Sequence, residues 1–177
     1  MPGLLTASTN ALQRLNQLDR DAFVAEVGAV FEHSPWVMQR VWAHRPFADR
    51  AALRAAMAAG IADAGRDELL ALILAHPELA SKAALRGDLT EDSAREQAGA
   101  GLNACSSEEL AEIRQLNDAY RRTFGWPFIV AVKGLSRQDI IGQMRRRLTA
   151  TSAQEFAEAL AQIQRIADLR LDPLLAG

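Results

Sequence analysis

The stretch "LILAHPELA", residues 72–80, carries an apolar helical run straight into a histidine and a proline, His76 and Pro77. Proline removes a backbone donor and pushes the residue before it out of α geometry, so the helix must stop here. A titratable ring therefore sits where a buried helix ends. Histidine changes charge near neutral pH and serves as a general acid or base, while an ordinary helix-terminal histidine with its hydrogen bonds satisfied would look the same. A second polar cluster lies in "SAREQAGAG", where Ser93, Glu96 and Gln97 stand at i, i+3 and i+4 and share one helix face beside small residues. That face suits the wall of a polar pocket or, equally, a solvated surface on which Glu91 pairs with Arg95.

Other chemistry finds little support. His33, His44 and His76 are far apart, and none has a second histidine one helical turn away, so no metal site is expected. Glycine-rich phosphate loops, HExxH and GxSxG are all missing, and neither Lys82 nor Lys133 has a signature of Schiff-base work. Cys105 in "LNACSSEEL" lacks a local catalytic motif and reads as structural filler. As the single cysteine it also excludes an internal disulfide and fits a reducing, cytoplasmic compartment. A net charge of −2 gives no electrostatic case for nucleic acid, and Arg145, Arg146 and Arg147 read as a solvated helix face. No apolar run is long enough for a membrane span, and "MPGLLTASTN" lacks the basic and apolar regions of a secretory signal.

The elements that must position these residues are helical almost throughout. Asp19 caps a helix with the stripe Phe23, Val27, Val30 and Phe31. Ser34 is expected to cap the next, with Pro35 at its first position and a stop before Pro46. Leu53, Met57 and Ile61 mark a third helix ending near Gly65, and another runs from about Asp67 to the His-Pro break. Thr90 caps the "EDSAREQAGAG" helix, and Ser106 with Glu109 makes a capping box for a long one that ends at Gly125. Ser136 opens the seventh. Ser152 with Glu155 is expected to box the eighth, which Pro173 should end. Only "FIVAV", residues 128–132, has β-branched character, and one strand has nothing to pair with. It reads as an extended connector or a buried helical piece. The expectation is an all-α, single-domain bundle of about eight helices over residues 1–177.

In sequence order, "FEHSPWVMQRVWAHRPF", "LILAHPELA", "SAREQAGAGL", "LNDAYRRTFGWPFIVAVKG" and "IADLRL" resemble the signature blocks of the OHCU (2-oxo-4-hydroxy-4-carboxy-5-ureidoimidazoline) decarboxylase family of urate degradation. The resemblance runs from about Leu15 to Leu171. It implies an all-helical, usually dimeric enzyme that decarboxylates a small-molecule substrate without a cofactor, giving (S)-allantoin and carbon dioxide. It assigns His76 and Glu96 as catalytic and Pro77 as pocket-lining. It makes Ser93, Ala94, Arg95, Glu96 and Gln97 a ligand-binding segment. Phe128, Ile129, Val130, Ala131 and Val132 would hold the substrate ring through backbone groups, and Arg170 would reach the pocket from the last helix. Trp126 departs from the phenylalanine or tyrosine commoner in the family. Since the resemblance takes up nearly the whole chain, the preceding hydrolytic step is expected in another protein. A catalytically silent helical binding module is the other reading, and retention of both His76 and Glu96 speaks for the enzyme.

Overall fold

The computed structural model describes residues 11–176, so the N-terminal stretch examined for a secretory signal lies outside the described residues. Among the described residues every regular element is helical and there is no strand, as an all-α fold requires. In chain order the helices are α1 (residues 11–17), α2 (Arg20–Val27), α3 (Trp36–Trp42), α4 (Arg50–Ala62) and α5 (Arg66–Leu74). They continue as α6 (Lys82–Arg86), α7 (Glu91–Gly99), α8 (Ser107–Phe124), α9 (Arg137–Arg147) and α10 (Ser152–Leu175). No helix among the described residues is long and apolar enough to cross a membrane.

Local chemistry explains most of the boundaries. Asp19 accepts the Ala22 N–H at the start of α2, and Thr90 accepts the Ser93 N–H at the start of α7. Ser106 with Glu109 and Ser136 with Asp139 form full capping boxes for α8 and α9. Gly125 closes α8 at φ +86°, a left-handed conformation that a Cβ would strain.

Four boundaries differ from the sequence expectation. Ser34 does not cap α3: its hydroxyl donates to the Glu32 carbonyl, and Pro35 is the residue before the helix. Glu155 does not box α10 either. The reciprocal pair is Thr151 and Gln154, one residue earlier, with bonds of 2.9 and 3.2 Å. Pro173 lies inside α10, which runs on to Leu175; so near the end of a helix the missing N–H breaks little. The five residues of α6 are too few to show a hydrophobic period.

The chain forms two compact units. The first comprises, among the described residues, 11–72 and 164–176. Its core holds Leu15, Phe23, Phe31, Val37, Met38, Val41, Leu53 and Met57, all but inaccessible to solvent. Asn16 ties α1 to the chain beyond α3 by exchanging two bonds with the Phe47 backbone, at 2.8 and 2.9 Å. The second unit spans Ile73–Ile163 and is built on Ile113, Tyr120, Phe128, Ile140, Met144 and Ile163. Tyr120 packs on Phe124 at 4.6 Å between ring centroids and edge-on against Phe128 at 5.4 Å. Trp126 joins this cluster, 5.8 Å from Phe124 and 5.6 Å from Phe156, so its departure from the family pattern is absorbed in core packing.

Candidate active site

α5 ends at Leu74, and the chain turns so that the His76 N–H donates to the Ile73 carbonyl at 3.2 Å. His76 is 7% exposed, a buried ring just past a helix end. The loop after it is fastened by side chains from two other helices. Gln97 of α7 accepts the Ala80 N–H at 3.0 Å, and Asn117 of α8 donates to the Leu79 carbonyl at 2.9 Å. Glu78 adds an ion pair to Arg121 at 2.7 Å. Ala80 itself sits at φ +49°, in the left-handed region, which costs a non-glycine residue roughly 1–2 kcal/mol. Two buried hydrogen bonds on the Leu79–Ala80 peptide offset that strain, and strain held this way is typical of functional sites. Gln97 thus couples the His76 loop to the helix that carries Glu96.

On α7 the polar face is real but uneven. Ser93 and Gln97 are buried, Glu96 is half-buried, and Ala94 and Arg95 are exposed. Arg95 pairs with Asp92 at 2.6 Å rather than with Glu91. Ala94 faces a cavity of about 350 Å³ that Gln97, Ala98, Leu85 and Leu102 also line; neither His76 nor Glu96 lines it. The exposed Ala94 and the buried Gln97 therefore share one cavity that Glu96 does not line.

Residues 127–132 run as an unbent, non-helical connector between α8 and α9, with Phe128 to Val132 all buried. Two of its backbone groups are held by side chains, and the Val132 carbonyl accepts the Leu135 N–H at 3.0 Å. The Ile129 carbonyl accepts from Arg147 at 2.8 Å, and the Ala131 N–H donates to Gln162 at 2.9 Å. The Ala131 amide, one of the backbone groups of this stretch, thus already has a partner within the protein.

Arg147 also corrects the reading of the arginine run. Arg145 and Arg146 are exposed, Arg145 pairing with Glu112, but Arg147 is buried. It lies seven residues after Ile140 and three after Met144, on the apolar face of α9. There it meets Glu155 at 2.9 Å, and its guanidinium stacks on the Phe128 ring at 4.4 Å. Glu155 accepts a second bond, of 2.5 Å, from the Tyr120 hydroxyl. Sequence spacing offered Glu155 as a cap and Arg147 as surface; only the apolar stripe of α9 hinted otherwise.

Burial, then the hydrogen bond to Glu155 and its charge, push the Tyr120 phenol well above its ordinary value of 10.0. The folded site favours the neutral phenol, so this contribution to stability is whole below pH 10.0 and is lost as pH rises above it. Tyr120 is the only tyrosine, and few other groups titrate in that range. Urea unfolding at stepped alkaline pH should show stability falling above pH 10.0, and Tyr120→Phe should flatten that fall. An equally steep fall in the variant would put the effect elsewhere.

Arg170 belongs to the first unit. It is buried, and its guanidinium donates to Glu32 at 2.6 Å, a partner that sequence spacing did not suggest across 138 residues. Cys105 is half-buried, and burial, with Glu109 next, pushes its thiol up, away from nucleophilic character. Among the described residues no three His, Cys, Asp or Glu side chains gather as a metal site would need.

The family model for OHCU decarboxylase matches residues 16–172. The 2-oxo-4-hydroxy-4-carboxy-5-ureidoimidazoline decarboxylase of Haloferax volcanii is 41% identical over 160 residues, covering 90% of this chain and 93% of that protein. A crystal structure of (S)-allantoin synthase aligns at a TM-score of 0.72 and 27% identity, covering 92% of this chain and 53% of that one. This chain thus spans about half of that molecule. A crystal structure of OHCU decarboxylase in the presence of (S)-allantoin aligns at a TM-score of 0.65 over 90% of this chain and all of its own; at 17% identity it speaks for the fold. With a family match over most of its length and a relative at 41% identity, the chain belongs to the OHCU decarboxylase family, a family of carboxy-lyases.

Proposed function

We propose that this protein decarboxylates 2-oxo-4-hydroxy-4-carboxy-5-ureidoimidazoline to (S)-allantoin, with His76 and Glu96 as the catalytic pair. The observation that carries the reading is the buried His76 just past α5, in a loop that Gln97 fastens to the helix bearing Glu96. Breaking the carbon–carboxylate bond leaves an electron pair on the ring carbon. The conjugated ring of this substrate takes that pair as an enolate-like species, so the reaction needs no separate electron sink. A proton must then arrive on one face of the carbon, and this is what makes the product chiral. His76 delivers it as general acid, and Glu96 orients the imidazole or polarises the substrate hydroxyl. Pro77 and Ser93 line the site beside them, with Ala94, Arg95 and Gln97 in the same segment. Backbone groups between Phe128 and Val132 hold the ring, those of Val130 among them.

The family resemblance assigns Arg170 to the substrate's carboxylate or ring oxygens, and within the first unit Glu32 holds its guanidinium. Arg170→Lys keeps the charge but loses the guanidinium fork, so substrate capture should weaken while helical circular dichroism is kept. Unchanged kinetics in that variant would make the Glu32 pair purely structural.

Residues 1–177 serve as one domain on this reading, supported by a family match that runs from 16 to 172. The family pattern supports a homodimer, which a mass measurement in solution checks. The use of a single cysteine supports work in the reducing cytoplasm. The function is tested by generating the unstable substrate enzymatically from urate, adding the protein, and following optical activity. An excess of (S)-allantoin over the spontaneous racemic background is expected, and prior dialysis against a strong chelator should leave the rate unchanged. A racemic product formed at the background rate would end the proposal.

A further inference from the structure

The connector that carries residues 128–132 is gripped at the two consecutive peptides that flank Val130 by two helices. Arg147, the last residue of α9, donates to the Ile129 carbonyl at 2.8 Å. Gln162 of α10 accepts from the Ala131 N–H at 2.9 Å. In a trans peptide the C=O and the N–H point in opposite directions. The Val130 N–H, in the peptide whose carbonyl Arg147 holds, and the Val130 C=O, in the peptide whose N–H Gln162 holds, therefore both point away from those grips. Among the described residues neither Val130 group has a hydrogen-bond partner, although Val130 is only 5% exposed. A buried peptide left in that state is costly unless something else meets it.

Both grips are themselves held. The Gln162 amide donates from Nε2 to Glu158, one turn back on α10, at 2.8 Å, so its oxygen is the atom turned to Ala131. Glu155, buried with Arg147, sets the direction of the guanidinium, and Tyr120 sets Glu155. We propose that Gln162 and Arg147 are positioning residues of the substrate site, fixing the connector so that Val130 presents its donor and acceptor together to the flat ureide edge of the substrate ring. The inference rests on the reading that residues 128–132 take the substrate. Neither residue touches the reacting atoms; each acts through the backbone it holds.

Gln162 is the residue to test, because it is half-buried and Gln162→Met keeps most of its volume while removing the acceptor. Loss of one hydrogen bond that aligns the binding edge should raise KM roughly three- to tenfold, the size of one bond's net worth. The turnover number should stay within about twofold, since the groups that break the carbon–carbon bond are untouched. A variant that was merely less folded would do the reverse, lowering the apparent turnover number with KM unchanged. The exchange Glu158→Gln with Gln162→Glu rebuilds both bonds: a carboxylate at 162 still accepts the Ala131 N–H, and an amide at 158 now donates to it, so KM should come back toward the wild-type value.

The measurement is the dependence of (S)-allantoin formation on substrate concentration for wild type, Gln162→Met and the exchanged pair, with circular dichroism alongside. An unchanged KM in Gln162→Met overturns the proposal, as does an exchanged pair no better than the single variant. Wild type with no rate above background would instead sink the functional reading and this inference with it, a result distinct from either of those.

Discussion

His76→Ala should lose stereospecific turnover by a factor of at least roughly 10² to 10⁴, the usual contribution of a general acid–base group, while the protein stays folded. The fold should survive because the loop is fastened at Leu79 and Ala80 by Asn117 and Gln97, and those bonds do not use the imidazole. Glu96→Gln should also be severely impaired: the amide keeps the shape and loses the charge that would hold an imidazolium. If the two groups act as a unit, the double variant should be little worse than the worse single one. The assay is enzyme-dependent (S)-allantoin over the racemic background. Near-normal enantiomeric excess from folded His76→Ala would remove the ring from the mechanism, and effects that simply multiplied would separate the two roles.

Glu155→Ala should cost about 3–5 kcal/mol of stability, because it strands the Arg147 guanidinium in the core with its partner carboxylate gone. Arg147 and Glu155 are each 3% exposed at the side chain, so water does not stand in for the lost partner. For a chain of this size the midpoint of thermal unfolding should fall by about 6–20 °C. Replacing both residues with apolar ones, Arg147→Met with Glu155→Leu, should recover most of that loss, since a buried pair and a packed apolar pair are close in energy. Thermal melts of wild type and these two variants decide it. A single variant as stable as wild type would mean that the pair is solvated. The doubly apolar variant carries a second expectation: stable but without its grip on Ile129, it should bind substrate worse than wild type.

Much of the fold was legible because helix ends are written locally. Asp19, Thr90, Ser106 and Ser136 each need only the backbone three residues ahead, and Gly125 needs only its own φ. The apolar stripes Leu53, Met57, Ile61 and Ile140, Met144 are one-dimensional signals of the same kind. The end of α5 at the His-Pro step is likewise a property of neighbouring residues. Where local rules offered two users for one side chain, the sequence misled. Glu155 suited a cap by spacing, yet Tyr120 and Arg147 had the stronger claim on it in the core, and Thr151 with Gln154 took over the cap. Ser34 likewise bonded back to Glu32 instead of capping α3.

By itself the sequence determined an all-α chain, the helix ends that present His76 and the face bearing Ser93, Glu96 and Gln97, because each depends on residues within one or two turns. Only the tertiary structure decided which buried polar groups meet. Arg170 with Glu32, Gln97 with the Ala80 peptide, Gln162 with the Ala131 peptide and Arg147 with Ile129 join residues 17 to 138 positions apart. No local propensity encodes such pairs. They form because a polar group taken out of water must find a partner, and the packing of the apolar faces determines which partner is within reach.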